Sequence, residues 1–217
     1  MSATIRLFKQ LFSALCRVQQ SAWINMEPAW SIPAQTHDVL FYLMSRNWIP
    51  ISEEEIKRLF SNSKSVEVRL SDHSWVLYLP PMKEEPRFLP VLTLECKLDD
   101  QQDVMKLRLM LVHCDRGEGK PHCIGFRIEA GQKIHGFYHA QLVKNLEGAA
   151  EVENPPVECP LRFPEKQPCL PLKAEDSVTL VLCLLISLYG IKYCWNFIND
   201  HQLSELTRHL EYFGKPN

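Results

Sequence analysis

The chain has 217 residues, 46% of them hydrophobic and 23% charged, with a formal net charge of −2. That is enough chain to bury a core without disulfide or metal staples, and the composition is globular rather than disordered or fibrous. With no global basic field, binding to nucleic acid or acidic lipid would need a local patch.

Residues 3–24 place Ile5, Phe8, Leu11, Phe12, Leu15 and Val18 at helical spacing, which predicts an amphipathic first helix. The stretch carries Arg6, Lys9 and Arg17 and no acid, a composition that also suits a mitochondrial presequence. Lys9 and Gln10 interrupt the apolar residues and no small-residue cleavage site follows, so no secretory signal is expected. Pro28 and Pro33 end this helix. A second, short helix is expected over 36–46, capped by Thr36 or Asp38 and broken by Asn47-Trp48-Ile49-Pro50. Ser52 and Glu55 have capping-box spacing, so a third helix should run to Phe60 with Glu53, Glu54 and Glu55 at its positive end.

From Ser65 the period changes to two. Val66, Val68 and Leu70 alternate with Glu67, Arg69 and Ser71, and Trp75 to Leu79 forms a strand ended by Pro80-Pro81. Leu92, Leu94, Cys96 and Leu98 then alternate with Thr93, Glu95 and Lys97. After a turn at 99–102, Met105, Leu107, Leu109 and Leu111 alternate with Lys106 and Arg108. A glycine-bearing turn over Asp115 to Lys120 leads to Ile124, Phe126 and Ile128, and residues 134–143 give a last strand. The pattern predicts a meander of about six antiparallel strands, one face apolar and one polar. Glu67, Arg69, Glu95, Lys97, Lys106, Arg108, Arg127 and Glu129 are assigned to the polar, exposed face.

Residues 154–171 hold six prolines, which reads as an extended connector, or as a polyproline ligand for a partner. The run Ser177–Ile191, SVTLVLCLLISLYGI, has no charged residue over fifteen positions. A membrane span takes about 20 apolar residues. Reaching that length here would enclose Lys192 and Asn196, so a buried helix is expected instead. A helix apolar all round must be covered all round. The sheet on one side and amphipathic helices at 3–24 and 203–213 on the other are the expected cover, or a dimer partner supplies part of it. The eight cysteines show no C-x-x-C pair. Cys16, Cys96, Cys183 and Cys194 lie in apolar runs, which fits reduced, buried thiols and a cytoplasmic protein.

Three constellations are candidates for chemistry. Glu95-Cys96-Lys97 puts Glu95 and Lys97 on one strand face. A strand bearing Glu-x-Lys resembles the core of the PD-(D/E)XK nuclease superfamily; the resemblance implies that Glu95 helps hold Mg²⁺ and Lys97 positions or activates the attacking water. It covers these few residues, with Asp72 as the conceivable upstream acid, and a strand follows where the family has a helix. Glu-x-Lys also describes any solvated strand face. His113-Cys114 and His122-Cys123 flank the 115–120 turn and are candidate Zn²⁺ ligands. Adjacent strand residues point to opposite faces, however, so each pair offers one ligand per face. His135, Phe137, His139 and Gln141 share one face of the last strand and form a candidate ligand- or partner-binding surface. No acid sits close in sequence to orient either imidazole.

No phosphate-loop, dinucleotide-binding, nucleophile-elbow or zinc-protease motif is present, and no cofactor is expected. The expected fold is one α+β domain over 1–217. It comprises a helical part (1–62), an antiparallel sheet (63–145), a Pro-rich connector (146–173) and C-terminal helices (174–217). A buried central helix and the two terminal helices pack one face of the sheet. The expected function is that of a non-catalytic, partner-binding or accessory subunit, with a protein partner or a homodimer and no membrane span. Trp23, Trp30 and Trp48, in or near turns, are candidate exposed anchors. The alternative is a nucleic-acid-binding or nucleic-acid-processing protein using Glu95 and Lys97 or the 135–141 strand.

Overall fold

A computed structural model of the chain describes residues 2–24, 40, 43–45, 48–61, 64, 66–68, 74–82, 88–100, 103–113, 123–130, 138–143 and 170–215. Helix α1 (Ala3–Ile24) contains no glycine or proline. The Ser2 hydroxyl accepts from the Ile5 N–H at 3.2 Å at its start. Ile5, Phe8, Leu11, Phe12 and Leu15 are buried, and the Phe8 and Phe12 rings stack at 4.3 Å. Helix α2 (Glu53–Leu59) begins with the Ser52–Glu55 capping box.

An eight-stranded, mostly antiparallel sheet follows. Its strands are β1 (Trp48–Pro50), β2 (Val66–Val68), β3 (Ser74–Tyr78), β4 (Phe88–Leu98), β5 (Asp103–His113), β6 (Cys123–Glu129), β7 (His139–Val143) and β8 (Leu170–Pro171). The order is β1-β3-β4-β5-β6-β7-β8, with β2 also pairing to β4. One edge of β4 therefore meets β3 at its first half and β2 at its second. The pair β1–β3 is parallel, a departure from the expected antiparallel meander. β1 was expected to be a helix break and β8 part of the connector. Both are too short to show a period, and neighbouring strands hold them. β4 starts before Leu92 despite Pro90. The Pro90 carbonyl accepts from the Leu79 N–H at 2.9 Å. In an antiparallel ladder N–H and C=O face the same neighbour, so the donor Pro90 lacks would face β3, and the β4–β5 ladder continues through it.

The larger apolar cluster draws on α1, α2 and one face of the sheet, where β4 contributes Leu92, Leu94, Cys96 and Leu98 and β5 contributes Met105, Leu107 and Leu109. Val178, Leu180, Val181, Leu182, Leu184 and Leu185 of helix α3 (Ser177–Tyr189) belong to it too. So do Cys194, Phe197 and Ile198 of helix α4 (Ile191–Asp200) and Leu210 of helix α5 (Thr207–Glu211). Each such aliphatic side chain contributes about 1.5–3 kcal/mol by leaving water. α3 is capped twice. Asp176 Oδ1 accepts from the Thr179 N–H at 2.7 Å, and Asp103 Oδ2, from β5, accepts from the Ser177 N–H and hydroxyl at 3.0 Å each.

The apolar run is not one helix. Gly190 has φ +81°, a conformation that side-chain-bearing residues rarely adopt. There α3 ends and α4 leaves at a 118° bend. Nor is the run covered all round, because Ser187 is exposed and Cys183, Ile186 and Leu188 are half-buried. Among the described residues no single helix is long and apolar enough to cross a membrane. The last expected helix is instead a 3-10 turn (Ser204–Leu206) leading into the short α5.

Candidate functional site

The opposite face of the sheet holds the sequence candidates that can be placed, and it is not uniformly polar. At one end Val76, Tyr78, Leu89, Val91, Met110, Val112 and Cys123 form a second apolar cluster with Leu40, Leu43 and Trp48. Trp48, expected as an exposed anchor, is fully buried there; its carbonyl accepts from the Tyr78 hydroxyl at 2.8 Å. Trp30 and the side chain of Trp23 lie outside the described residues.

At the other end the strand register lines up two polar rows. In one, Glu95, Lys106, Glu129 and His139 stand on β4, β5, β6 and β7, across three strand spacings, roughly 14 Å. Charge alternates over Glu95, Lys106 and Glu129, and an imidazole ends the row. Lys106 Nζ lies 3.8 Å from Glu95 Oε2, and His139 Nε2 lies 3.5 Å from Glu129 Oε1. In the adjacent row Thr93, Arg108, Arg127 and Gln141 stand side by side. Arg108 and Arg127 are directly opposite, a destabilising juxtaposition by itself. Arg127 reaches Glu129 Oε1 at 3.4 Å and donates to the Gln141 side-chain oxygen, which spreads its charge over two acceptors.

Much of this surface is covered. Thr93, Arg108 and His139 are 2%, 3% and 3% exposed, so the expected open face is wrong for Arg108. Thr93 Oγ1 is buried and has no hydrogen-bond partner among the described residues. The more open part is the rim of Glu95, Lys97 and Lys106, where Lys97 Nζ lies 3.8 Å from Asp99 Oδ2.

Glu95 and Lys97 share the face that period two assigns them, each beside an opposite charge. Arg69 and Asp72 lie outside the described residues. By register, Glu67 on β2 stands opposite Lys97. His139 and Gln141 share the same face, whereas His135 and Phe137 lie outside the described residues. Sequence proximity missed the acid beside His139: Glu129 is its cross-strand partner, visible only once the β6–β7 register is known. Of the four candidate zinc ligands, Cys123 is a buried thiol in the second cluster, and His113 is the last residue of β5. Cys114 and His122 lie outside the described residues. Among the described residues no three His, Cys, Asp or Glu side chains gather as metal ligands. Compared with protein-family models, curated proteins and solved structures, the chain finds no match.

Proposed function

We propose that the chain is a non-catalytic, partner-binding or accessory subunit that acts in the cytoplasm and engages a protein partner through the polar end of this sheet face. The observation that carries the proposal is the open rim of Glu95, Lys97 and Lys106, where opposite charges stand side by side at the end of the two polar rows. Rigid strands fix its charges in position, and strand-borne groups hold a binding geometry better than loops do. Complementary charge of this kind sets register and suppresses wrong partners more than it adds affinity. Two further parts of the reading have support. Residues from Ile5 to Leu210 share the larger cluster, which favours one cooperative domain packed around α3. Cys16, Cys183 and Cys194 are free thiols, and burial pushes Cys16 and Cys194 up to about 12, which makes these two inert as nucleophiles.

The test is an untagged affinity pull-down with mass spectrometry, comparing wild type with Glu95→Lys and Lys106→Glu. A stoichiometric protein lost in both variants, with melting temperature nearly unchanged, supports the reading. A clean monomer with Mg²⁺-dependent nucleolysis overturns it in favour of the nucleic-acid alternative. That second reading is favoured by the register of Glu67 opposite Lys97 on the face that carries Glu95. Its own test is whether Glu95→Ala/Lys97→Ala abolishes the cleavage.

A further inference from the structure

The polar side of α1 forms a second feature, separate from the sheet face. Arg6, Lys9, Gln10, Ser13 and Arg17 line an open cleft of about 340 Å³, closed by Glu53 of α2 and by Leu203. Arg6, Gln10, Ser13 and Arg17 recur at steps of three and four, with Lys9 next to Gln10, so the five lie on one side of the helix, while its other side is buried in the larger cluster. The volume is that of a small-molecule site.

The charges of the cleft are unevenly matched. Arg6 is held by Glu205 at 2.6 Å and Arg17 by Glu53 at 3.0 Å. Lys57 shares Glu53 at 3.4 Å. Lys9, between the two arginines, pairs with no carboxylate among the described residues. The Ser13 hydroxyl and the Gln10 amide add neutral hydrogen-bonding groups beside it. Leu203 supplies an apolar wall.

We propose that this cleft binds a small phosphate-bearing molecule. A phosphate group carries up to two charges over three oxygens, which suits an ammonium with a guanidinium one helical turn away better than a single carboxylate does. Lys9 is the anchor. Arg6, one turn from Lys9, closes on the remaining oxygens, while Arg17, eight residues and about 12 Å further along the helix, faces the body that carries the phosphate. Leu203 packs against the body that carries the phosphate. The two resident carboxylates act as competitors for the arginines, so weakening one frees a guanidinium for the ligand.

The experiment is a calorimetric titration of the full chain with inorganic phosphate and with AMP, at constant ionic strength set by chloride. Lys9→Glu, Lys9→Met and Glu205→Gln are compared with wild type, each checked for an unchanged melting curve. The expected result is saturable binding in wild type and a loss of about tenfold or more in both Lys9 variants. Glu205→Gln should tighten binding about two- to fivefold, the strength of one exposed ion pair. The proposal is overturned if wild type shows no saturation with either probe, if chloride displaces the probe as well as phosphate does, or if the folded Lys9 variants bind as wild type.

Discussion

On the face of the sheet that joins the larger cluster, β4 presents Leu92, Leu94, Cys96 and Leu98 without interruption. One residue out of phase, the same strand changes from Leu89 and Val91 to Thr93, Glu95 and Lys97. The first face is held by burial along its whole length. The second is held by burial at one end and by charge pairing at the other. The difference shows how one sheet can carry a stable interior and a chemically varied surface on the same strands. Where both sides of a strand are apolar, as at Leu109-Met110-Leu111-Val112, both sides are covered or half-covered.

The largest expected effects test whether both apolar clusters behave as core. Leu182→Ala in α3 should cost about 2–5 kcal/mol in urea denaturation. Met110→Ala, on the opposite face, should fall in the same range; a cost below about 1 kcal/mol would show that the second cluster is only loosely packed. Next is the N-cap of α3. Asp176→Ala should lower stability by about 0.5–2 kcal/mol, measured by thermal melting. Smaller still, Lys106→Ala on the polar row should cost about 0–1 kcal/mol, and the loss should shrink in added salt.

The last effect is a slope in pH. Burial pushes the Asp103 carboxyl above its ordinary value of 3.8, partly offset by its hydrogen bonds from Ser177. A group raised in the fold favours folding below its unfolded value, and the contribution fades as pH rises through the folded value. Stability from this group should therefore fall between pH 3.8 and that raised value, and Asp103→Asn should flatten the slope in melts across this window. His201 runs the other way. Burial and then Arg17 push it down from 6.5, so its contribution is present above that pH and is lost on acidification through the lowered value.

Sequence periodicity was sufficient for α1, the Ser52–Glu55 cap and the alternation of β4 through β6, because each repeats or has a fixed spacing. It failed at β1 and β8, whose three and two residues are too few to repeat. It also failed at Gly190, where apolar composition continues across the break and only the backbone angle records it. At the site, the shared face of Glu95 and Lys97 followed from two-residue spacing. The row linking Glu95 to Glu129 and His139, and the row beside it that ends in Gln141, did not, because they depend on register across several strands. The burial of Arg108 and Trp48 depends on what lies over the sheet, which a strand's own alternation does not encode. The basic, acid-free start of the chain was legible, but its cleft needed Glu53 and Leu203 brought in from far along the sequence.

The sharing of one cluster by Ile5 and Leu210 has a consequence for how the protein is made. A ribosome adding about 5–20 residues per second completes α1 on the order of ten seconds before it has made α3. Throughout that interval the apolar side of α1 and the matching face of the sheet lack the helices that later share their cluster. The nascent chain thus carries uncovered apolar surface until α3 and α4 emerge, and slowing of translation over residues 146–176 would lengthen its exposure.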